Sequence, residues 1–160
     1  MFKNIAIAAI FFLANPVSAE GLGIEGTRVE VDKFFDSYLA VFAAQDTELL
    51  AEQYIVAPMY IATGKGMIFL ESRDSVVGFL GKTYSYLNSQ NYSRAEIVTG
   101  NTCVLNENSA IWSGVLARYN TEGVVMGESG NTYFIGKLNG SWQISSLLQH
   151  TPELVVSCEM

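Results

Sequence analysis

The stretch Val31-Asp32-Lys33-Phe34-Phe35-Asp36-Ser37-Tyr38-Leu39-Ala40-Val41-Phe42 decides how this chain folds. Val31, Phe34, Phe35, Tyr38, Val41 and Phe42 fall at i, i+3, i+4, i+7, i+10 and i+11, which is one face of an α-helix. Glu30, Asp32, Lys33, Asp36 and Ser37 occupy the other face. Such a stripe has to be buried against a partner, and the later, strand-like part of the chain is the candidate. Thr27 and Glu30 have the spacing of a capping box, in which each side chain satisfies a backbone N–H of the first turn. The helix is therefore expected from about Arg28 to about Ala44. Tyr38 brings a hydroxyl into the middle of the stripe, where packing alone would take Leu or Phe. A buried phenol needs a hydrogen-bond partner, so Tyr38 either reaches a backbone carbonyl or points into a pocket.

Upstream, residues 1–19 read as a secretory signal peptide. Lys3 supplies the positive start, Ile5 to Leu13 is an unbroken apolar run, and Val17-Ser18-Ala19 has the small-residue pattern of a cleavage site before Glu20. The run is too short to span a bilayer, and no Cys stands at the cleavage point to carry a lipid. A retained N-terminal anchor is the alternative. Residues 20–160 then make one domain with material for a single core. The chain carries a net charge of −7, and loss of Lys3 makes it one unit more acidic. That balance repels phosphate backbones and anionic lipid, so neither nucleic acid nor, after cleavage, membrane is expected as a partner. The expected location is periplasmic or secreted.

Export permits a disulfide between Cys103 and Cys158, which would tie the C-terminal tail to the middle of a strand; two free thiols are the alternative. Two cysteines are too few for a zinc site, no ligands cluster around the single histidine, and no metal or other cofactor is expected. Gly21, Gly23 and Gly26 spell a dinucleotide-type glycine pattern, but no strand precedes them. A flexible new N-terminus accounts for them instead.

Asp46 or Thr47 can cap a short helix over 48–54, and Pro58 blocks its continuation. A small hairpin follows, with Met59 to Ala62 and Met67 to Leu70 as strands about a glycine turn. Ser72 caps a further helix whose apolar face is Val76, Leu80, Tyr84 and Leu87. From Tyr92 onward, strands are expected over 93–105, 109–119, 124–138 and 141–150, separated by Asn- and Gly-rich turns. Gly100, Gly114, Gly127, Gly130 and Gly136 read as bends or bulges that let the sheet curl, with a break possible near 127–130. Helices first and a strand meander after is an α+β pattern.

This order resembles the nuclear-transport-factor-2-like superfamily, in its SnoaL-like and ketosteroid-isomerase-like branch. Tyr38-Leu39-Ala40-Val41-Phe42-Ala43-Ala44-Gln45-Asp46 is similar to the start of those proteins, and Gly140-Ser141-Trp142-Gln143-Ile144 to the opening of their last strand. The resemblance implies a cystatin-like cone, a curved antiparallel sheet wrapped around the N-terminal helix, and a homodimer formed through the outer sheet face. It also places Tyr38 where the isomerases have the tyrosine that donates to a substrate oxyanion. The position corresponding to their general base, counted from Asp46, is Ala62, and all four aspartates (Asp32, Asp36, Asp46, Asp74) lie upstream of the late strands. General-base catalysis needs a titratable group at the reacting proton, so the isomerase mechanism does not carry over.

The candidates for chemistry are therefore few. His150 ends the last strand and, by strict alternation, shares a face with Ile144, Ser146 and Leu148. On a concave face it would stand at a cavity rim as acid or base; otherwise it is a strand-end histidine bonded to a loop. Tyr60, Trp112, Arg118, Tyr119, Tyr133 and Phe134 are the remaining aromatic or charged candidates, Trp112 and Arg118 on one face of their strand, Tyr133 and Phe134 on opposite faces of theirs. The expected ligand set is Tyr38, Tyr60, Trp112, Phe134 and His150 around a small, mainly apolar molecule. An isomerase, cyclase or hydratase using Tyr38 and His150 is the alternative, as is a non-catalytic interaction module with a filled cone.

Overall fold

The computed structural model describes residues 19–158, so the signal-peptide reading falls almost wholly outside the described residues. The first helix, α1, spans Ala19–Ala44. It is followed by α2, Thr47–Leu49, which runs into a π-helical turn over Leu50–Tyr54. Two strands, β1 (Ile55–Thr63) and β2 (Gly66–Leu70), precede α3 (Arg73–Ser89). Four long strands complete the chain: β3 (Tyr92–Asn106), β4 (Ser109–Asn120), β5 (Val125–Leu138) and β6 (Ser141–His150).

The stripe on α1 is buried as its spacing requires. Val31, Phe35 and Tyr38 are almost fully enclosed, with Phe34, Val41 and Phe42 packed against them. The start of the helix differs from expectation. It begins about two turns before Thr27, through the glycines, in place of a flexible N-terminus. Thr27 is a buried residue inside the helix, not its cap. Glycine costs a helix roughly 1 kcal/mol each, which tertiary packing readily offsets. Here the early turns lie beside the β3–β4 turn, where Gly23 faces the Glu107 side chain. Glu30, freed from a capping role, pins α1 to the sheet. Its carboxylate accepts from Trp142 Nε1 (3.1 Å) and pairs with Lys137 Nζ (2.7 Å). Asp32 also ties the helix to the sheet, accepting from the Thr102 hydroxyl (2.6 Å).

The other helices follow their signals. Asp46 Oδ1 accepts from Leu49 N–H. Ser72 and Ser75 form a reciprocal capping box, and Val76, Leu80, Tyr84 and Leu87 are all buried.

The six strands form one sheet in the order β2-β1-β6-β5-β4-β3. Its neighbours are antiparallel except β1 and β6, which run parallel, so the sheet is mixed rather than wholly antiparallel. The long crossover through α3 and four strands supplies the connection that a parallel pair needs. The strand β1 starts earlier than expected and carries Pro58, whose peptide bond to Ala57 is cis, in the irregular stretch between Ile55 and Tyr60. The strand β5 is continuous through Gly127, with a bulge at Met126 against Arg118 and Tyr119 in place of a break.

Gly100 and Gly114 pair across β3 and β4, and they are more than bends. The indole of Trp112 lies over both. A β-carbon on Gly114 would fall 2.6 Å from the indole, 3.0 Å from Gly100 Cα and closer still to the Thr99 carbonyl; one on Gly100 would fall 2.9 Å from the indole. The flat indole in turn stacks on Phe35 of α1, centroids 4.5 Å apart and planes 19° apart.

The segment after β6 runs back across the outer face of the sheet. Val156 N–H donates to Ser113 Oγ (2.9 Å), and Asn101 Nδ2 donates to the Val156 carbonyl (3.0 Å). Cys103 and Cys158 are disulfide-bonded, their Cα atoms 5.6 Å apart.

Gly114→Ala is expected to destabilise the fold by about 1–3 kcal/mol, the usual cost of overpacking a filled core. Urea denaturation followed by tryptophan fluorescence checks this; a change within a few tenths would show that the glycine pair does not set the sheet–helix spacing.

Candidate functional site

Beyond the Phe35–Trp112 stack the cone opens into a cavity of about 140 Å³. Its walls are mostly aliphatic and aromatic, including Phe42, Ile61, Val76, Leu80, Leu116 and Ile144. The polar side chains that reach it are Tyr38, Thr83, Arg118, Asn131, Tyr133 and Gln149. Each is placed by its element. Tyr38 comes from the buried stripe of α1, Arg118 from the inward face of β4 shared with Trp112, and Asn131 and Tyr133 from the inward face of β5.

Tyr38 and Tyr133 approach each other with ring centroids 6.0 Å apart at 68°. Burial pushes the Tyr38 hydroxyl well above the usual phenol range, and the neighbouring Tyr133 adds to the rise. Burial also raises Tyr133, to about 12, while its bond to Tyr38 and the positive charge of Arg118 hold it back. Behind the wall at Phe42 stand two more buried phenols, Tyr84 and Tyr92, whose hydroxyls have no hydrogen-bond partner among the described residues. Burial raises both, and Arg118 partly offsets the rise at Tyr92.

Of the expected ligand set, only Tyr38 lines the cavity. Trp112 is the plug beneath it, 2 % exposed and packed on Phe35 and Tyr133. Tyr60 lies on the outer face, 47 % exposed, with its ring 4.8 Å from Phe69. Phe134 and His150 also face outward and line a shallow groove with Leu154 and Val156. The reason for His150 is a bulge. Ile135 pairs with Ile144 but Phe134 pairs with Ser146, so Ser145 is an extra residue in β6. An extra residue reverses the alternation beyond it. Ile144, Leu147 and Gln149 therefore point inward, and Ser146, Leu148 and His150 outward.

His150 lies over Gly130, where a β-carbon would collide with its ring. Its Nδ1 bonds the Thr151 carbonyl (2.8 Å) and its Nε2 the Thr132 hydroxyl (2.9 Å). Thr132 bonds Ser113 Oγ (2.7 Å), which receives Val156 N–H. This chain of bonds fastens the tail to the sheet on the far side from the cavity. Ala62 faces outward as well, beside Leu148 and Met67, and the inward residue next to it is Ile61. Sequence reasoning missed Asn131, Leu147 and Gln149 as cavity residues. It chose Phe134 over Tyr133, although the register that pairs Tyr133 with Trp112 places Tyr133 inside. Among the described residues no three His, Cys, Asp or Glu side chains gather to hold a metal, and no helix is long and apolar enough to cross a membrane.

A helix laid into a curled sheet with an apolar cavity between them defines a cone-shaped domain of the NTF2-like, cystatin-like class. Residues 29–152 match the family described as NTF2-like protein (DUF6841), and the chain belongs to that family. No curated protein matches it. Among solved structures, it is similar to Aln2 from a Streptomyces species, at a TM-score of 0.66 and 13 % identity over 81 % of this chain and 93 % of that one. It is also similar to an NTF2-like protein with a cystatin-like fold from Novosphingobium aromaticivorans, at 0.64 and 15 % identity over 81 % and 84 %. A third is a putative calcium/calmodulin-dependent protein kinase II association domain from Xanthomonas campestris, at 0.61 and 18 % identity over 78 % and 88 %. At these identities the likeness is one of fold.

The raised phenols give a pH expectation. A tyrosine held neutral by burial contributes no pH dependence below the unfolded value near 10, and its stabilising effect is lost as pH rises toward its folded value. The stability of the domain should therefore fall between pH 10 and about 12, the value for Tyr133. Tyr38 and Tyr133 should contribute no phenolate absorbance until the fold opens. A spectrophotometric titration in which all eight tyrosines ionise in a single step near pH 10, with the fold intact by circular dichroism, would contradict this.

Proposed function

We propose that this domain binds a small, mainly apolar molecule in the cone cavity and does not turn it over. The observation that carries the reading is the cavity itself: about 140 Å³ of space walled mostly by apolar side chains, with Tyr38 and Tyr133 in its lining. An engineered cavity of similar size in another protein, some 150 Å³, admits benzene, so the ligand is on the scale of one ring. The polar groups of the lining support binding over turnover. Neither a carboxylate nor a histidine is among them, and the two phenols, raised by burial, stay protonated at neutral pH and so cannot accept a proton there. The position that would carry the isomerase base is Ala62, on the outer face.

The domain is proposed to be exported, with cleavage before Glu20. The Cys103–Cys158 bond supports an oxidising compartment. A second copy of the chain is the proposed partner on the outer face, supported by exposed Met67, Phe69 and Tyr60 on one patch of the sheet.

Tyr38→Phe keeps the ring and removes only the hydroxyl. It should retain wild-type stability and weaken binding of the molecule that copurifies with the protein by about 1 kcal/mol or more. His150→Ala should leave that binding unchanged. Mass spectrometry of material released from the purified protein identifies the ligand, and calorimetry reads the affinities. A Tyr38→Phe protein that loses stability while its folded fraction binds as before would assign the hydroxyl to the fold instead. The same secreted preparation should give an intact mass beginning at Glu20 and a dimer by light scattering. A mass beginning at Met1, or a monomer at micromolar concentration, would remove the corresponding proposal.

A further inference from the structure

Arg118 is the only charged side chain among the residues that line the cavity. The chain has four arginines and 16 acidic residues. Three of the arginines have a carboxylate at hand: Arg28 pairs with Glu25, Arg73 with Glu48 and Arg94 with Glu96. Arg118 alone, and it alone at the cavity, makes no salt bridge among the described residues. A partly buried arginine without a counter-ion, in an acidic protein, leaves its charge open to a partner from outside.

The inventory of donors and acceptors says what that partner carries. Arginine offers five N–H donors and no acceptor. The Thr83 hydroxyl is already given to the Phe79 carbonyl (3.0 Å), and the Asn131 amide to the carbonyl and hydroxyl of Ser129 (3.0 Å each). What remains toward the cavity is mostly donors, the Arg118 guanidinium and the phenols of Tyr38 and Tyr133, beside the Gln149 amide and the Asn131 amide oxygen, which can also accept. Tyr133 stands between the two ends of this set, its ring 6.0 Å from that of Tyr38 and its hydroxyl within the field of Arg118. The unpartnered hydroxyls of Tyr84 and Tyr92 lie just behind. An acceptor-rich head group satisfies such a set, and a purely apolar ligand or a cation does not. One guanidinium matches a carboxylate by its planar two-point geometry. A phosphate dianion calls for a second cation, and none lines the cavity.

We propose that Arg118 is the anion anchor of the cavity and that the natural ligand is a small apolar monocarboxylate, its body against Phe42, Val76, Leu80 and Ile144. The inference rests on the cavity-binding reading above and adds the ligand's chemical class. The chain's overall negative charge works against any anion, so a preference for one has to arise locally, at Arg118.

Benzoate and benzyl alcohol have the same ring and differ in the head group, and isothermal calorimetry of both at neutral pH tests the point. The intact domain should bind benzoate at least tenfold more tightly than benzyl alcohol. Arg118→Gln should abolish that ratio by weakening benzoate tenfold or more, while leaving benzyl alcohol unchanged, which also shows that the cavity is still formed. Arg118→Lys keeps the charge without the two-point geometry and should fall between; should the Gln variant not fold, a Lys variant with a benzoate preference cut at least threefold supports the assignment. Equal binding of the two probes by the wild type, or a preference that survives Arg118→Gln, would overturn the carboxylate assignment and leave the cavity reading standing. Failure of both probes to bind at millimolar concentration would overturn the cavity reading, and this inference with it.

Discussion

Phe35 stacks on Trp112 above the Gly100–Gly114 pair, and this contact sets where α1 sits on the sheet. An indole can lie flat on a sheet only where the strands beneath it carry no side chains, and two glycines in register across β3 and β4 provide that bare patch. The helix then approaches until the Phe35 ring meets the indole at 4.5 Å, with Tyr133 closing the edge at 5.1 Å. Aromatic contacts of this kind bring a large buried area together with a fixed geometry. They fix both the height of α1 above the sheet and its rotation about its own axis.

That one constraint divides the cone. On the N-terminal side of the stack Val31 and Phe35 fill the space, and Asp32 and Glu30 tie the helix to β3, β5 and β6. One turn further along α1 the plug ends. Tyr38, Leu39 and Phe42 meet the sheet where it has curled away, and the space left over is the cavity. Tyr38 thus lines the cavity because Phe35, three residues earlier, is locked against Trp112. Trp112 belongs to the architecture of the site without touching its interior.

Much of this was legible in residues 27–150. The α1 stripe, the four apolar residues of α3, the Ser72 cap and the limits of the long strands to within about two residues all follow from periodicity and turn chemistry, because those features are local. What stayed hidden depended on register. Sequence alternation put His150 on the face of Ile144, and one extra residue at Ser145 reversed it. The same alternation showed Tyr133 and Phe134 opposed but not which faced inward; that needed the pairing of Tyr133 with Trp112, several residues past the bulge at Met126. The start of α1 was misplaced because a capping-box spacing at Thr27 and Glu30 is also the spacing of neighbours on a helix. Packing against the sheet, not the cap signal, determined which applied.

The titratable groups facing the cavity share one chemical character. Burial holds Tyr38 and Tyr133 protonated well past neutral pH, and arginine is charged throughout that range. Each can give a hydrogen bond to a ligand oxygen, and none can take a proton from a ligand carbon. On the reading proposed above, a cavity with donors and no base stabilises negative charge that the ligand already has rather than charge that a reaction would create. On the same reading, the distinction lies in single residues on a common framework: β1 turns the apolar Ile61 inward and Ala62 outward, and so offers the cavity no base.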